Sequence, residues 1–449
     1  MSFPNDFTWG AATASYQIEG GAYEDSKGLS VWDVFCQQPG KIWGGNTGDV
    51  ACDHYHRYQE DARLMKELGL KAYRFSVSWP RVLPEGVGKV NEKGLDFYDG
   101  LVDALLENGI EPWLTLFHWD YPQSLYQRGG WLNHESSDWF VEYTGVVVDK
   151  LSDRVSHWMT LNEPQVTTTF GHQVGYLAPG LSLDFPEVLI TAHNSLLAHG
   201  KAVQVIRARA RTKPLIGAVH AASIYFPDTE KQADIEAARN RMFSVLEKNC
   251  WSNTWFADPM ILGRYPEDGL RLFEGDLPEM PDGDMGTICQ PLDFYGLNNY
   301  EGRPVRAAAG GPEIVQSHDG PPLTTMEWQV TPAGYYWGPR FLFERYKLPI
   351  VVTENGMANC DWVHRDGRVH DPQRIDYLAR YLGELKRAIG EGVIINGYFV
   401  WTLMDNFEWA FGYRQRFGIV YVDYATQERI PKDSAYWYKD VIASNGDII

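Results

Sequence analysis

Long apolar runs and amphipathic stretches alternate along the whole chain. The apolar, β-rich runs span 7–16, 70–79, 111–118, 154–163, 214–222, 291–300, 348–354 and 394–404. Each is rich in apolar and β-forming residues rather than strictly alternating, as expected of a strand covered on both faces. Between them, 58–69, 91–109 and 371–392 carry apolar residues at i, i+3 and i+4 and end near a glycine, which predicts helices. Strand followed by helix, eight times over, predicts an α/β architecture: one (β/α)8 TIM barrel forming a single catalytic domain over residues 1–449. Such a barrel needs roughly 250 residues, so the surplus is expected in long βα loops at its C-terminal face. Those loops are read at 17–56, 119–135, 301–330, 355–370 and 405–431. The Gly- and Pro-rich stretch 302–322 resembles a linker, but the strand–helix rhythm resumes after it, so it is assigned as a loop within the barrel.

Composition narrows the function. A net charge of −19 opposes binding to nucleic acid or to anionic membranes, because phosphate recognition needs clustered Lys and Arg. A neutral small molecule is the expected partner. No apolar run reaches 18 residues, and the first residues lack the basic start and apolar core of a signal peptide, so a cytoplasmic location is expected. The five cysteines, Cys36, Cys52, Cys250, Cys289 and Cys360, lack CxxC spacing and are expected to be buried or inert thiols rather than disulfides or metal ligands. Seventeen Trp and 25 Tyr exceed what core packing requires, and flat rings with polar handles suit a sugar.

The chemistry is expected where two strands end. Glu163 closes the fourth run, next to Asn162, and Glu354 closes the seventh. Two carboxyl groups at one barrel mouth can divide proton transfer and nucleophilic attack between them. Their spacing decides the outcome: about 5–5.5 Å permits direct attack and retention, whereas roughly 6.5–9.5 Å admits a water and inverts. The acid must be protonated at neutral pH, and its pKa is expected to be raised largely by the charge of the other carboxylate.

FTWGAATASYQIEGG (7–21), YRFSVSWPR (73–81), FHWDYPQ (117–123), TLNEP (160–164), LNNY (297–300), VTENG (352–356) and WTLMDNFEW (401–409) together resemble the motifs of glycoside hydrolase family 1, typified by β-glucosidases. The resemblance extends over essentially the whole chain. It implies a retaining β-glycosidase acting on a small β-glycoside, without cofactor or metal, with Glu163 as general acid/base and Glu354 as nucleophile. It implies Arg74 beside the nucleophile, with Asn298 and Tyr300 in support. Gln17, His118, Asn162, Glu408 and Trp409 would line the first sugar subsite above Trp401, with Trp119 beside His118 and Trp328 as a platform for the leaving group. The family commonly has Asn-Tyr-Tyr where this chain has Asn298, Asn299 and Tyr300, so one tyrosine is replaced by a polar side chain.

Three rivals compete. A 6-phospho-β-glycosidase would need cations where Glu408 stands, and that acid is expected to repel a phosphate. A metal-dependent barrel hydrolase would use His54, His56 and His220, but the first two run into a helix pattern. A non-catalytic sugar-binding protein would keep the aromatic floor and lack one of the two acids; both are present.

Overall fold

A computed structural model describes residues 2–316 and 320–449. Eight parallel strands close into a barrel in chain order: β1 (Thr8–Ala12), β2 (Ala72–Ser76), β3 (Glu111–Phe117), β4 (His157–Asn162), β5 (Leu215–Ala221), β6 (Phe294–Asn298), β7 (Ile350–Asn355) and β8 (Ile395–Trp401). Each falls within a predicted apolar run, except that β7 extends one residue beyond it. β1 closes the barrel against β8, with Ala12 opposite Trp401.

The strands are buried on both faces because helices cover the outside, including His54–Glu67, Glu92–Glu107 and Pro372–Gly390. The last shows why. Proline stands in its first turn, where no amide hydrogen is required, and Tyr377, Leu378, Tyr381, Leu382, Leu385 and Ala388 form one buried stripe. Burying each large apolar side chain contributes about 1.5–3 kcal/mol.

Two regions depart from the sequence expectation. Stretch 302–322 is not a plain loop: Gly302–Ala308 and Gly311–Ile314 form a hairpin that pairs with Ile224–Pro227. Residues 317–319 of that assignment lie outside the described residues. The connection from β5 to β6, absent from the predicted long loops, is itself an insertion with helices at Gln232–Phe243, Asn253–Leu262, Glu267–Leu272 and Asp284–Ile288.

The loops after β7 and β8 are joined by a buried ionic cluster. Lys432 Nζ lies 2.6 Å from Asp361 and 2.7 Å from Asp405, while Arg374 pairs with Asp361 and Asp371. Opposite charges offset much of one another's desolvation there, and losing one partner would strand a buried charge. Among the described residues, no helix is long and apolar enough to cross a membrane. Cys36, Cys52 and Cys250 are buried as expected, Cys289 is partly so, and Cys360 is exposed; all are free thiols. Cys360 is exposed because it lies in the surface loop after β7.

Candidate active site

A cavity of about 720 Å³ opens at the C-terminal ends of the strands. Both acids reach it: Glu163 is the residue after β4, and Glu354 lies within β7. The fold thus brings together two carboxyl groups 191 positions apart in sequence. Their surroundings differ sharply.

Glu354 is held by donors. Arg74 Nη1, from β2, lies 2.5 Å from Oε1, and the Tyr300 hydroxyl donates to Oε2 at 2.7 Å. Arg74 is completely buried, and its Nη2 donates to Asn162 Oδ1 at 2.6 Å. Behind Glu354, Gly356 meets β8 so closely that an added Cβ would lie 1.8 Å from the Trp401 carbonyl oxygen. Only glycine fits there.

Glu163 has no cation in hydrogen-bond contact among the described residues. Asn298 Nδ2 donates to its Oε1 at 2.9 Å and to Asn162 Oδ1 at 3.1 Å. Thr353 Oγ1 in turn donates to Asn298 Oδ1 at 2.6 Å, which fixes that amide. The Glu163 pKa is pushed up to about 8, first by burial and second by the Glu354 charge. That reverses the expected order of causes: enclosure by protein outweighs the neighbouring carboxylate.

Asn162 and His118 complete the floor. Asn162 Oδ1 accepts from Arg74 and Asn298, so its amide group faces His118 Nε2 at 3.1 Å, which makes that nitrogen the acceptor. Burial, followed by the nearby Arg74 charge, holds the His118 pKa well below the usual histidine range, so the ring is neutral. Trp119 is more than packing: its Nε1 donates to the Asn162 carbonyl at 2.9 Å, and its ring centroid is 4.6 Å from that of Trp409. Trp401 lines the cavity beneath His118, with their rings 6.0 Å apart and nearly parallel.

Gln17 is fully buried. Its Nε2 donates to the Phe407 carbonyl at 2.9 Å and to Asn406 Oδ1 at 3.1 Å, with Glu408 Oε2 at 3.4 Å, while its own Oε1 lacks a protein donor. Burial and then the Glu354 charge raise the Glu408 pKa to about 8. Its carboxyl group thus holds a proton more readily than an ordinary glutamate. Among the described residues Glu408 has no hydrogen-bonded or ion-paired cation, which also tells against a phosphate there.

Trp328 also lines the cavity, packed 5.1 Å from the Tyr300 ring and 5.9 Å from Phe417. It is half-buried. Asn299, at the position of the replaced tyrosine, donates through Nδ2 to the carbonyls of Ala222 and Glu301, tying the end of β6 to the residue after β5.

Sequence reasoning missed the outer wall. Tyr225, Arg241, Met242, Leu246 and Trp251, all from the β5–β6 insertion, face the cavity. The tryptophans of WSNTW (251–255) were the available signal. Three residues at the mouth also adopt left-handed backbone, Glu163 at φ 47°, Trp119 at 77° and Trp409 at 49°. No composition or periodicity announces that geometry.

The rival metal donors are scattered. His54 is buried against Asp61, His56 lies outside between Asp53 and Glu24, and His220 meets Gln165. Among the described residues no group of three or more His, Cys, Asp or Glu is placed to hold an ion.

An eight-stranded barrel with two unlike carboxyl groups in an aromatic cavity at its C-terminal mouth has the equipment of an enzyme that cleaves glycosidic bonds. The profile of glycosyl hydrolase family 1 matches residues 1–447, and the chain belongs to that family. Beta-glucosidase A of Thermotoga maritima is 48% identical over 446 residues, covering 99% of this chain and 98% of that protein. Beta-glucosidase A of Acetivibrio thermocellus is 47% identical over 456 residues, covering 99% of each. A structure of the Thermotoga maritima β-glucosidase in complex with glucoimidazole superposes with a TM-score of 0.91 at 48% identity, covering 99% of both chains.

Proposed function

We propose that this protein is a retaining β-glucosidase that removes terminal β-D-glucosyl residues from short cello-oligosaccharides or from aryl and alkyl β-glucosides. The reading takes the chain as one catalytic domain. The observation that carries it is the asymmetry of the two acids: Glu354 is ion-paired with Arg74, whereas Glu163 is enclosed without a cation and keeps its proton near neutral pH. Glu354 is the nucleophile and Glu163 the acid.

In the first step Glu354 attacks the anomeric carbon as Glu163 protonates the departing oxygen. The glycosyl ester that forms is neutral, so the charge that helped to raise the Glu163 pKa disappears. Glu163 then takes a proton from water, which attacks the same carbon, releases Glu354 and gives a sugar of unchanged configuration. Arg74 and Tyr300 orient the nucleophile, and Asn298 holds Glu163. Asn162 and His118 are hydrogen-bonded to each other and are placed to exchange that contact for adjacent sugar hydroxyls. Gln17 Oε1 and Glu408 supply acceptors for further hydroxyls over Trp401. Acceptance of β-galactosides and β-fucosides is part of the proposal, as is a cytoplasmic setting, which the free thiols support.

Proton NMR of an aryl β-glucoside digest tests the reading. The first-formed glucose should be the β-anomer, and an α-anomer would refute retention. A wild type that prefers the 6-phosphate analogue over the plain glucoside would favour the phospho-glycosidase instead.

A further inference from the structure

Among the described residues two cations that the proposed reaction does not use line the cavity, Arg241 and Arg303, and Arg303 has Glu301 within 3.8 Å. Arg241 stands in the last turn of Gln232–Phe243, faces the cavity, and lies over the Tyr225 ring at 5.4 Å. Among the described residues it has neither a hydrogen bond nor an ion pair. Two acids of the outer lining are otherwise engaged: Glu301 accepts from the Gln329 amide at 3.1 Å and lies 3.8 Å from Arg303, and Glu247 accepts from Asn249 at 3.1 Å. A half-buried guanidinium held on an aromatic face but given no counter-charge is oriented for a ligand.

We infer that Arg241 recognises an anionic group on the leaving aglycone, and that β-glucosides of hydroxylated aromatic acids are substrates favoured by this chain. The inference rests on the β-glucosidase reading and extends it to the leaving group. At the inner end the charged Glu354 is present and its partner Arg74 is already engaged with it and with Asn162, which disfavours an anion there. The outer wall reverses the sign. A flat ring would lie along the apolar surfaces of Tyr225, Trp251 and Trp328, with its carboxylate carried outward to Arg241. Planar, bidentate pairing suits arginine to a carboxylate better than lysine would.

The test compares kcat/KM for 4-carboxyphenyl and 4-methylphenyl β-D-glucoside in wild type, R241Q and R241K. Taking the ratio of the two substrates across variants cancels their different leaving-group reactivity. The carboxyphenyl-to-methylphenyl ratio should fall about tenfold in R241Q, the scale of a partly solvated charge-assisted contact, and less in R241K. In wild type the ratio should shrink as salt is raised from low to high ionic strength. An unchanged ratio in R241Q, or an equal loss on both substrates, would overturn the inference. Turnover of the methylphenyl glucoside by wild type upholds the β-glucosidase reading whatever the ratio does; no turnover of either substrate would sink both.

Discussion

The inner and outer ends of the cavity are built on opposite principles. At the inner end the polar side chains are almost wholly enclosed: Arg74 is 0%, Asn298 1%, Asn162 1% and Glu354 3% exposed, and each is held by at least one other. At the outer end Leu246 and Trp251 are open to solvent, and apolar contacts such as that between Trp251 and Phe170 at 5.0 Å stand beside the partly exposed Arg241. Polar groups inside a low-dielectric enclosure are strong and geometrically fixed. Solvated apolar walls are weak and forgiving. One end is therefore suited to recognising a single sugar at the reaction centre, and the other to accepting varied leaving groups.

Mutations at the two ends should differ accordingly. Glu354→Ala should lower kcat by at least about four orders of magnitude while leaving a folded protein that binds glucoside. Azide should restore part of the rate by entering the emptied face, giving the α-glucosyl azide; a β-azide would exchange the roles of the two acids. Next in size, Glu408→Ser should lower kcat/KM on an aryl β-glucoside by about one to two orders of magnitude, since a mostly protonated carboxyl group facing two sugar hydroxyls provides hydrogen bonds of about 0.5–1.5 kcal/mol each. It should also move the ratio of plain glucoside to 6-phosphate turnover. A ratio that stays put would remove Glu408 from sugar selection.

The enclosure of Glu163 makes a pH prediction. Its raised pKa means that the proton is present below about 8 and lost above it. On the alkaline side kcat/KM should fall roughly tenfold per pH unit. Glu163→Ala assayed with a dinitrophenyl glucoside, whose leaving group needs little protonation, should abolish that limb. A limb that persists would belong to Glu408, whose pKa is raised as far. The smallest effect belongs to the outer wall: Trp251→Ala should raise KM for aryl glucosides about threefold and leave kcat within a factor of about two. A large fall in kcat would mean that the outer wall shapes the transition state after all.

The barrel was legible because parallel strands covered on both faces must be largely apolar, and because a barrel puts its chemistry where those strands end. Glu163, Glu354, Arg74 and His118 could be placed on that basis together with the motif resemblance. The β5–β6 insertion escaped because its elements are short and its helix Gln232–Phe243 buries only Asp234, Ala237, Ala238 and Met242, too little to impose a clear period. The hairpin at 302–314 was hidden by glycine and proline, which read as a loop. Arg241 gave no signal, since an arginine in the last turn of a helix is ordinary until its surroundings are known. The leading cause of the Glu163 shift was misjudged because sequence reveals that two acids meet but not how tightly protein closes around one of them.

The left-handed backbone at Glu163, Trp119 and Trp409 bears on how this enzyme could be made hardier. Each such residue other than glycine costs of order 1–3 kcal/mol, so all three are standing liabilities at the mouth. Glycine would relieve the backbone at any of them, yet it would delete the acid, the indole that steadies Asn162, or the ring packed at the sugar floor. A selection for thermostability alone would be drawn toward Glu163 and would yield robust, inactive proteins, whereas at Trp119 and Trp409 the loss of a buried ring, about 3–5 kcal/mol, would outweigh the relief. Stabilising changes are better sought away from the cavity, with the mouth held fixed and turnover scored alongside melting temperature.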